Sequence, residues 1–141
     1  LPAGRYHVFH YWRRRYLGVI DDTVTVQRHQ PHETAVLLFK PVSARPDLLT
    51  TTFHVCQGAV EIASYEFEII DARAKIKLTL EKSGRQFGRV FFTVPRNWRV
   101  TEAEVGGRLQ APVTEAPHLV SFGLTLEGRA EIEVWFESAI L

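Results

Sequence analysis

The chain has 141 residues, 45% of them hydrophobic, and 17 Lys and Arg against 16 Asp and Glu leave a net charge of +1. That balance removes the long-range attraction nucleic-acid binding depends on, and no apolar run approaches the roughly 20 residues that span a bilayer, so neither a nucleic-acid nor a membrane partner is expected. Cys56, the single cysteine, permits no internal disulfide and no cysteine-based zinc site; it reads as a small core residue and favours a cytoplasmic setting. The length suits one domain, residues 1–141, able to bury roughly two thirds of its unfolded surface unaided. With no Met and a start at Leu1-Pro2 directly before a strand, the chain reads as a fragment of a longer polypeptide.

In chain order the sequence predicts strands at Tyr6–Trp12, Tyr16–Ile20 and Thr23–Arg28, then at the uniformly apolar run Ala35–Phe39, which belongs in the middle of a sheet. Loops are expected at Asp21-Asp22, His29–His32 and Pro41–Pro46. Val60–Ile70 changes phase partway, because Val60 and Ile62 alternate out of step with Tyr65, Phe67 and Ile69, so a β-bulge is placed near Ala63-Ser64. The clearest alternation follows, with Ala74, Ile76, Leu78 and Leu80 against Lys75, Lys77, Thr79 and Glu81. Lys82–Arg85 then supplies a glycine-bearing turn, and Phe87–Val94 returns to make a hairpin. A second hairpin joins Trp98–Val105 to Arg108–Val113 through Gly106-Gly107, and a third joins Leu119–Leu126 to Ala130–Phe136 through Glu127-Gly128. No segment carries a helical stripe. The expected fold is therefore all-β: an antiparallel, Greek-key-like β-sandwich of two sheets with short turns and no substantial helix.

The chain shows no catalytic or metal-binding set. His7 and His10 would point to opposite faces of a strand and His29 and His32 bracket Pro31, spacings unlike a zinc site, so no metal and no cofactor are expected. Glu131, Glu133 and Glu137 line one strand face as solubilising residues do, rather than facing one another across a sugar. No glycine-rich phosphate loop opens a helix, and no serine sits at a nucleophile elbow. Arg13-Arg14-Arg15 in a neutral domain reads as ion pairs or as stacking on Trp12 and Tyr16. Trp135 shares its outward phase with Glu133, so the pair is a candidate carbohydrate-binding site, the indole stacking on a sugar ring while the carboxylate accepts hydroxyl hydrogen bonds; the indole can equally cap a domain interface, which is the favoured reading because such aromatics are enriched at those contacts.

The opening segment is dense in aromatics and arginines. Tyr6, Val8 and Trp12 take one phase while Phe9, Tyr11 and Arg13 take the other, more than one two-faced strand can bury. Tyr6, Phe9, Tyr11, Trp12, Arg14 and Tyr16 are accordingly the candidate docking residues, and an isolated chain with this patch uncovered is expected to self-associate.

Tyr6-His7-Val8-Phe9, Trp12, Arg15-Tyr16-Leu17-Gly18, Pro31-His32 before Ala35–Leu38, Arg45-Pro46 with Leu48-Leu49, and His54-Val55 with Gln57-Gly58 resemble the C-terminal β-sandwich of melibiase-type, α-galactosidase-like glycoside hydrolases. The likeness runs over residues 5–62; beyond them only the hairpin rhythm agrees, and His10 stands where the resemblance leads one to expect an acidic residue. In such enzymes two aspartates on an upstream (β/α)₈ barrel act as nucleophile and acid/base, and the sandwich buttresses that barrel. The resemblance thus implies a non-catalytic accessory domain of a carbohydrate-active hydrolase, partnered by the upstream barrel of the same polypeptide. The alternative is a free-standing carbohydrate-binding module using its exposed tryptophans.

Overall fold

A computed structural model describes residues 1–27, 30–53 and 61–139. Those residues form ten β-strands and no helix, arranged in two antiparallel sheets of three and seven strands. The all-β antiparallel class read from the alternation is therefore the class observed. The chain falls into two compact units, Leu1–Ser43 and Ala44–Leu141, each built on its own sheet. Arg28, His29, Cys56 and Val60, each given a role by the sequence, lie outside the described residues.

The first unit contains β1 (Tyr6–His10), β2 (Arg15–Ile20) and β3 (Leu37–Pro41) in the order β2-β1-β3. β1 is the central strand, with Val8 and Phe9 buried. Its register on β2 shifts between Val8 and Phe9, which face Gly18 and Tyr16, and Gly18 at φ 105° absorbs the irregularity. Two sequence expectations are corrected here. The apolar run at Ala35–Phe39 does not occupy a sheet centre: β3 pairs only with β1, and its residues Leu37, Leu38 and Phe39 are half-buried. Pro41, which has no N–H to donate, is at home at the end of such an edge strand. Thr23–Gln27 joins no ladder, although its alternating Thr and Val residues have strand character. β-propensity describes fitness for a pleated surface and does not supply the partner.

The second unit contains β4 (Asp47–Thr51), β5 (Ile62–Ile70), β6 (Arg73–Thr93), β7 (Trp98–Val105), β8 (Arg108–Leu109), β9 (Val113–Ala116) and β10 (Leu119–Ser138). Two of the three expected hairpins are not hairpins. Residues 73–93 form one continuous strand and 119–138 another, and the two pair with each other along their whole length. Gly128 faces Lys82 and Glu127 faces Arg85, so Ser83 and Gly84 are extra residues of β6 opposite none of β10. Gly84 and Gly128 have φ of 83° and 78°. The two glycine signals thus mark one shared irregularity, where both strands change course together. The Gly106-Gly107 turn does reverse the chain, with φ of 59° and 80° at the two central positions, as a tight hairpin requires. The bulge expected near Ala63-Ser64 is present as a register shift between Ile62 and Ser64.

The irregularity divides the sheet into two halves. β5 and β7 flank the half of the β6–β10 ladder at residues 73–80 and 130–138, while β4 and β9 flank the half at 86–93 and 119–126. Side chains from both halves join one core: Ile76, Leu78, Ile132, Val134 and Phe136 from the first, Val90, Phe92, Phe122 and Leu126 from the second. Polar contacts connect them as well. Tyr65 Oη on β5 donates to Asp47 Oδ1 on β4 at 2.6 Å, and Trp98 Nε1 on β7 donates to the Ala44 carbonyl at 3.1 Å. The second unit is therefore one sheet folded over on itself into two facing layers, the sandwich-like solution that buries an apolar sheet face without a helix. β10 lies between β6 and β7 and gives the crossover of a Greek-key-like order. Gly88 sits where a side chain would strike the Phe53 ring and Thr52 Oγ1, both at 2.7 Å from an added Cβ.

Candidate docking turn and ligand cleft

The six docking candidates separate once the chain is folded. β1 ends at His10, and Tyr11–Arg14 form a turn closed by the Arg14 N–H donating to the Tyr11 carbonyl at 3.0 Å, with Arg14 at φ 48°. The strand alternation expected through Trp12 therefore stops at His10. Phe9 is buried at 1% exposure and is not on the surface, a correction that follows from the central position of β1. Tyr6 is half-buried and its hydroxyl donates to the Pro2 carbonyl; Tyr16 is half-buried and its hydroxyl is 2.9 Å from His7 Nδ1. Burial raises the Tyr16 phenol above its ordinary value. Trp12 and Arg14 are exposed, Trp12 at 60%, and Tyr11 meets the indole edge-on with ring centroids 4.8 Å apart. The turn thus presents one large aromatic held by a second.

Arg13, between them, is a strap. Its guanidinium donates to the Gln27 carbonyl and to Glu33 Oε1 at 2.9 Å, and Glu33 Oε2 accepts the N–H of Gln30. This side chain draws the segment after β2 back over the sheet. Between that segment and β2 lies a cleft of about 590 Å³, walled by His10, Arg13, Arg15, Tyr16, Thr25 and Gln27 among others. The His10 ring is fully buried, and its Nδ1 accepts the Arg13 N–H at 3.3 Å. A backbone N–H can only donate, so the proton of the neutral ring is on Nε2. His10 Nε2 has no hydrogen-bond partner, alone among buried side-chain nitrogens and oxygens of the described residues.

The carbohydrate candidates lie on the second unit. Trp135 is half-buried, its Nε1 donates to Glu133 Oε1 at 3.1 Å, and two cations stand over its ring: the Arg73 guanidinium at 4.6 Å and the Lys75 ammonium at 5.1 Å from the centroid. Lys75 in turn is 3.3 Å from Glu68. The cross-strand register sets this up, since Lys75 faces Trp135 and Lys77 faces Glu133. The structure does bring Trp135 and Glu133 together, but the indole N–H and a ring face are engaged by the chain itself. A depression of only about 100 Å³ beside them is walled by Lys77, Glu104, Gly107, Glu131 and Glu133.

Among the described residues, no three His, Cys, Asp or Glu side chains gather where they could hold a metal ion. Sequence reasoning missed the cleft. The available signal was His10 alternating in step with Val8 on an inward face, but the covering segment is placed by Arg13 and Glu33, 20 residues apart. No family model, no curated protein and no solved structure matches the chain.

Proposed function

We propose that the chain is a non-catalytic β module of a carbohydrate-active hydrolase, of the melibiase-like type, which docks on its catalytic partner through the Tyr11–Arg14 turn. The observation that carries the reading is Trp12, 60% exposed on a tight turn with Tyr11 braced against it and Arg14 beside it. An exposed indole next to an arginine is the composition of an interface anchor. The carbohydrate-binding alternative is weaker, because Arg73, Lys75 and Glu133 already engage Trp135.

The test is to read the coding sequence upstream of Leu1, express the barrel it is expected to encode, and measure binding of this chain to it. Trp12→Ala should weaken association by more than about 1 kcal/mol, a common cost for an interface aromatic, with the melting temperature of the isolated chain unchanged. A coding sequence without a hydrolase barrel, or equal binding by the variant, refutes the proposal. The isolated chain should not hydrolyse aryl α- or β-glycosides; turnover that follows the protein through repurification would contradict a non-catalytic role.

A further inference from the structure

We propose that β5 binds an extended segment of a partner protein by strand addition, antiparallel and along its free edge, and that this segment alternates lysine or arginine with apolar residues. Among the described residues β5 pairs with β6 alone, and residues 62–70 enter no backbone hydrogen bond outside that ladder. In an antiparallel strand the N–H and C=O groups of alternate residues point to opposite sides, so half of those of β5 are directed away from β6. The register shift between Ile62 and Ser64 is confined to one end, and residues 65–70 pair one by one. The border also lacks devices that commonly blunt an exposed edge, since Ile62–Ile70 contains no Lys, Arg or Pro. Its last two residues, Ile69 and Ile70, are 59% and 49% exposed, one on each face, and a strand laid alongside covers both.

Charge selects the occupant. On the outward face Glu66 stands opposite Lys77 and Glu68 opposite Lys75; Glu133 and Trp135 follow on β10, then Glu104 and Glu102 on β7. The face is therefore striped, acidic on β5, basic on β6 and acidic again on β7. Glu66 is exposed and makes no ion pair among the described residues, while Glu68 lies 3.3 Å from Lys75 and remains exposed. A strand beyond β5 with basic residues opposite Glu66 and Glu68 continues the alternation and gains two cross-strand pairs of opposite charge. A second copy of this chain fits badly. Two β5 strands paired about Phe67 would set Glu66 against Glu68 twice, and β7, on the other side of this half, presents Glu102 and Glu104 on the same face. The strand that fits is like β6 itself, where Lys75, Ile76 and Lys77 meet Glu68, Phe67 and Glu66. Main-chain bonds to the free edge supply affinity, and the alternating charges supply selectivity. β5 belongs to the second unit and Trp12 to the first, so this site and the docking turn are tested separately.

The experiment titrates the full chain into a fluorescein-labelled peptide with the sequence of residues 73–79, Arg-Ala-Lys-Ile-Lys-Leu-Thr, and into the same peptide carrying Lys75→Glu and Lys77→Glu. Anisotropy reads binding, and amide hydrogen exchange reads its place. The basic peptide should bind saturably below about 1 mM, slow exchange at alternate residues of 65–70, and bind at least about fivefold more tightly than the acidic one. Glu66→Lys should reverse that preference, Glu66→Gln, which removes only the charge, should reduce it, and Trp12→Ala should leave it unchanged. The proposal is overturned by no saturable binding below about 1 mM, by equal binding of the two peptides, or by a preference that survives both Glu66 substitutions. It is equally overturned by binding that leaves exchange of residues 65–70 unaltered, by loss of binding in Trp12→Ala, or by a chain that self-associates through the same amides without peptide.

Discussion

Gly88→Ala isolates the closest packing in the second unit. An ideal Cβ on Gly88 would lie 2.7 Å from Phe53 Cε1, 2.8 Å from Phe53 Cζ and 2.7 Å from Thr52 Oγ1. Relaxed carbon contacts are about 3.5–4.0 Å, so the ring must move by close to 1 Å. It has little freedom to do so, being 1% exposed and part of the core with Phe92 and Phe122. Thr52 is held too, because its Oγ1 accepts the Arg89 N–H at 2.9 Å. Overpacking of this kind costs about 1–3 kcal/mol, and the entropy removed from the unfolded chain offsets about 0.5 of it, leaving about 1.5 kcal/mol. Gly123→Ala is the milder comparison: its Cβ would meet Arg89 Nη1 at 2.8 Å and Phe87 Cζ at 3.4 Å, and although Nε and Nη2 of that guanidinium donate to Ser121 Oγ, a side-chain tip yields more readily than a buried ring, so the cost should be smaller than that of Gly88→Ala. Urea denaturation of both variants measures the difference. Phe53→Leu completes a double-mutant cycle, since the shorter side chain makes room and the double variant should be more stable than the sum of the singles implies. A Gly88→Ala cost below about 0.5 kcal/mol, or strict additivity with Phe53→Leu, would refute the argument that the ring is pinned against this strand.

Stability should fall as pH rises above about 10, the ordinary tyrosine value. Burial and the carboxylate of Asp47 hold the Tyr65 phenol well above that value, so the folded chain keeps a proton that the unfolded chain releases, and the unfolded state gains as pH rises. Tyr65→Phe should cost about 1 kcal/mol near pH 7 and make the alkaline decline shallower; an unchanged slope in melting temperature between pH 9 and 11 would count against it. Gly128→Ala, at φ 78° opposite Lys82, should cost about 1 kcal/mol because an L side chain is strained there, and unaltered stability in urea would show that the strands change course elsewhere.

The alternation of Ala74, Ile76, Leu78 and Leu80 determined the all-β class, since a two-residue period is a property of the extended backbone that no partner alters. The Gly106-Gly107 reversal and the Ile62/Ser64 bulge were equally local, one needing two positive φ values and the other a phase change within nine residues. The glycines at 84 and 128 were not decidable in this way. A glycine beside charged residues suits a reversal and a strand irregularity alike, and only the pairing of residues 73–93 with 119–138, more than 40 positions apart at their far ends, selects the second. The same limit applied to function. Aromatic density marked residues 6–16 as unusual, but which of them face outward depended on where β1 stops and on the central place that buries Phe9. Alternation placed Trp135 beside Glu133, whereas the cations over its ring come from the neighbouring strand. His10 gained its unmatched donor only when the turn committed its Nδ1 and the Arg13 strap drew residues 23–27 over the sheet, contacts that depend on where distant residues meet in space and so leave no periodic trace in the chain.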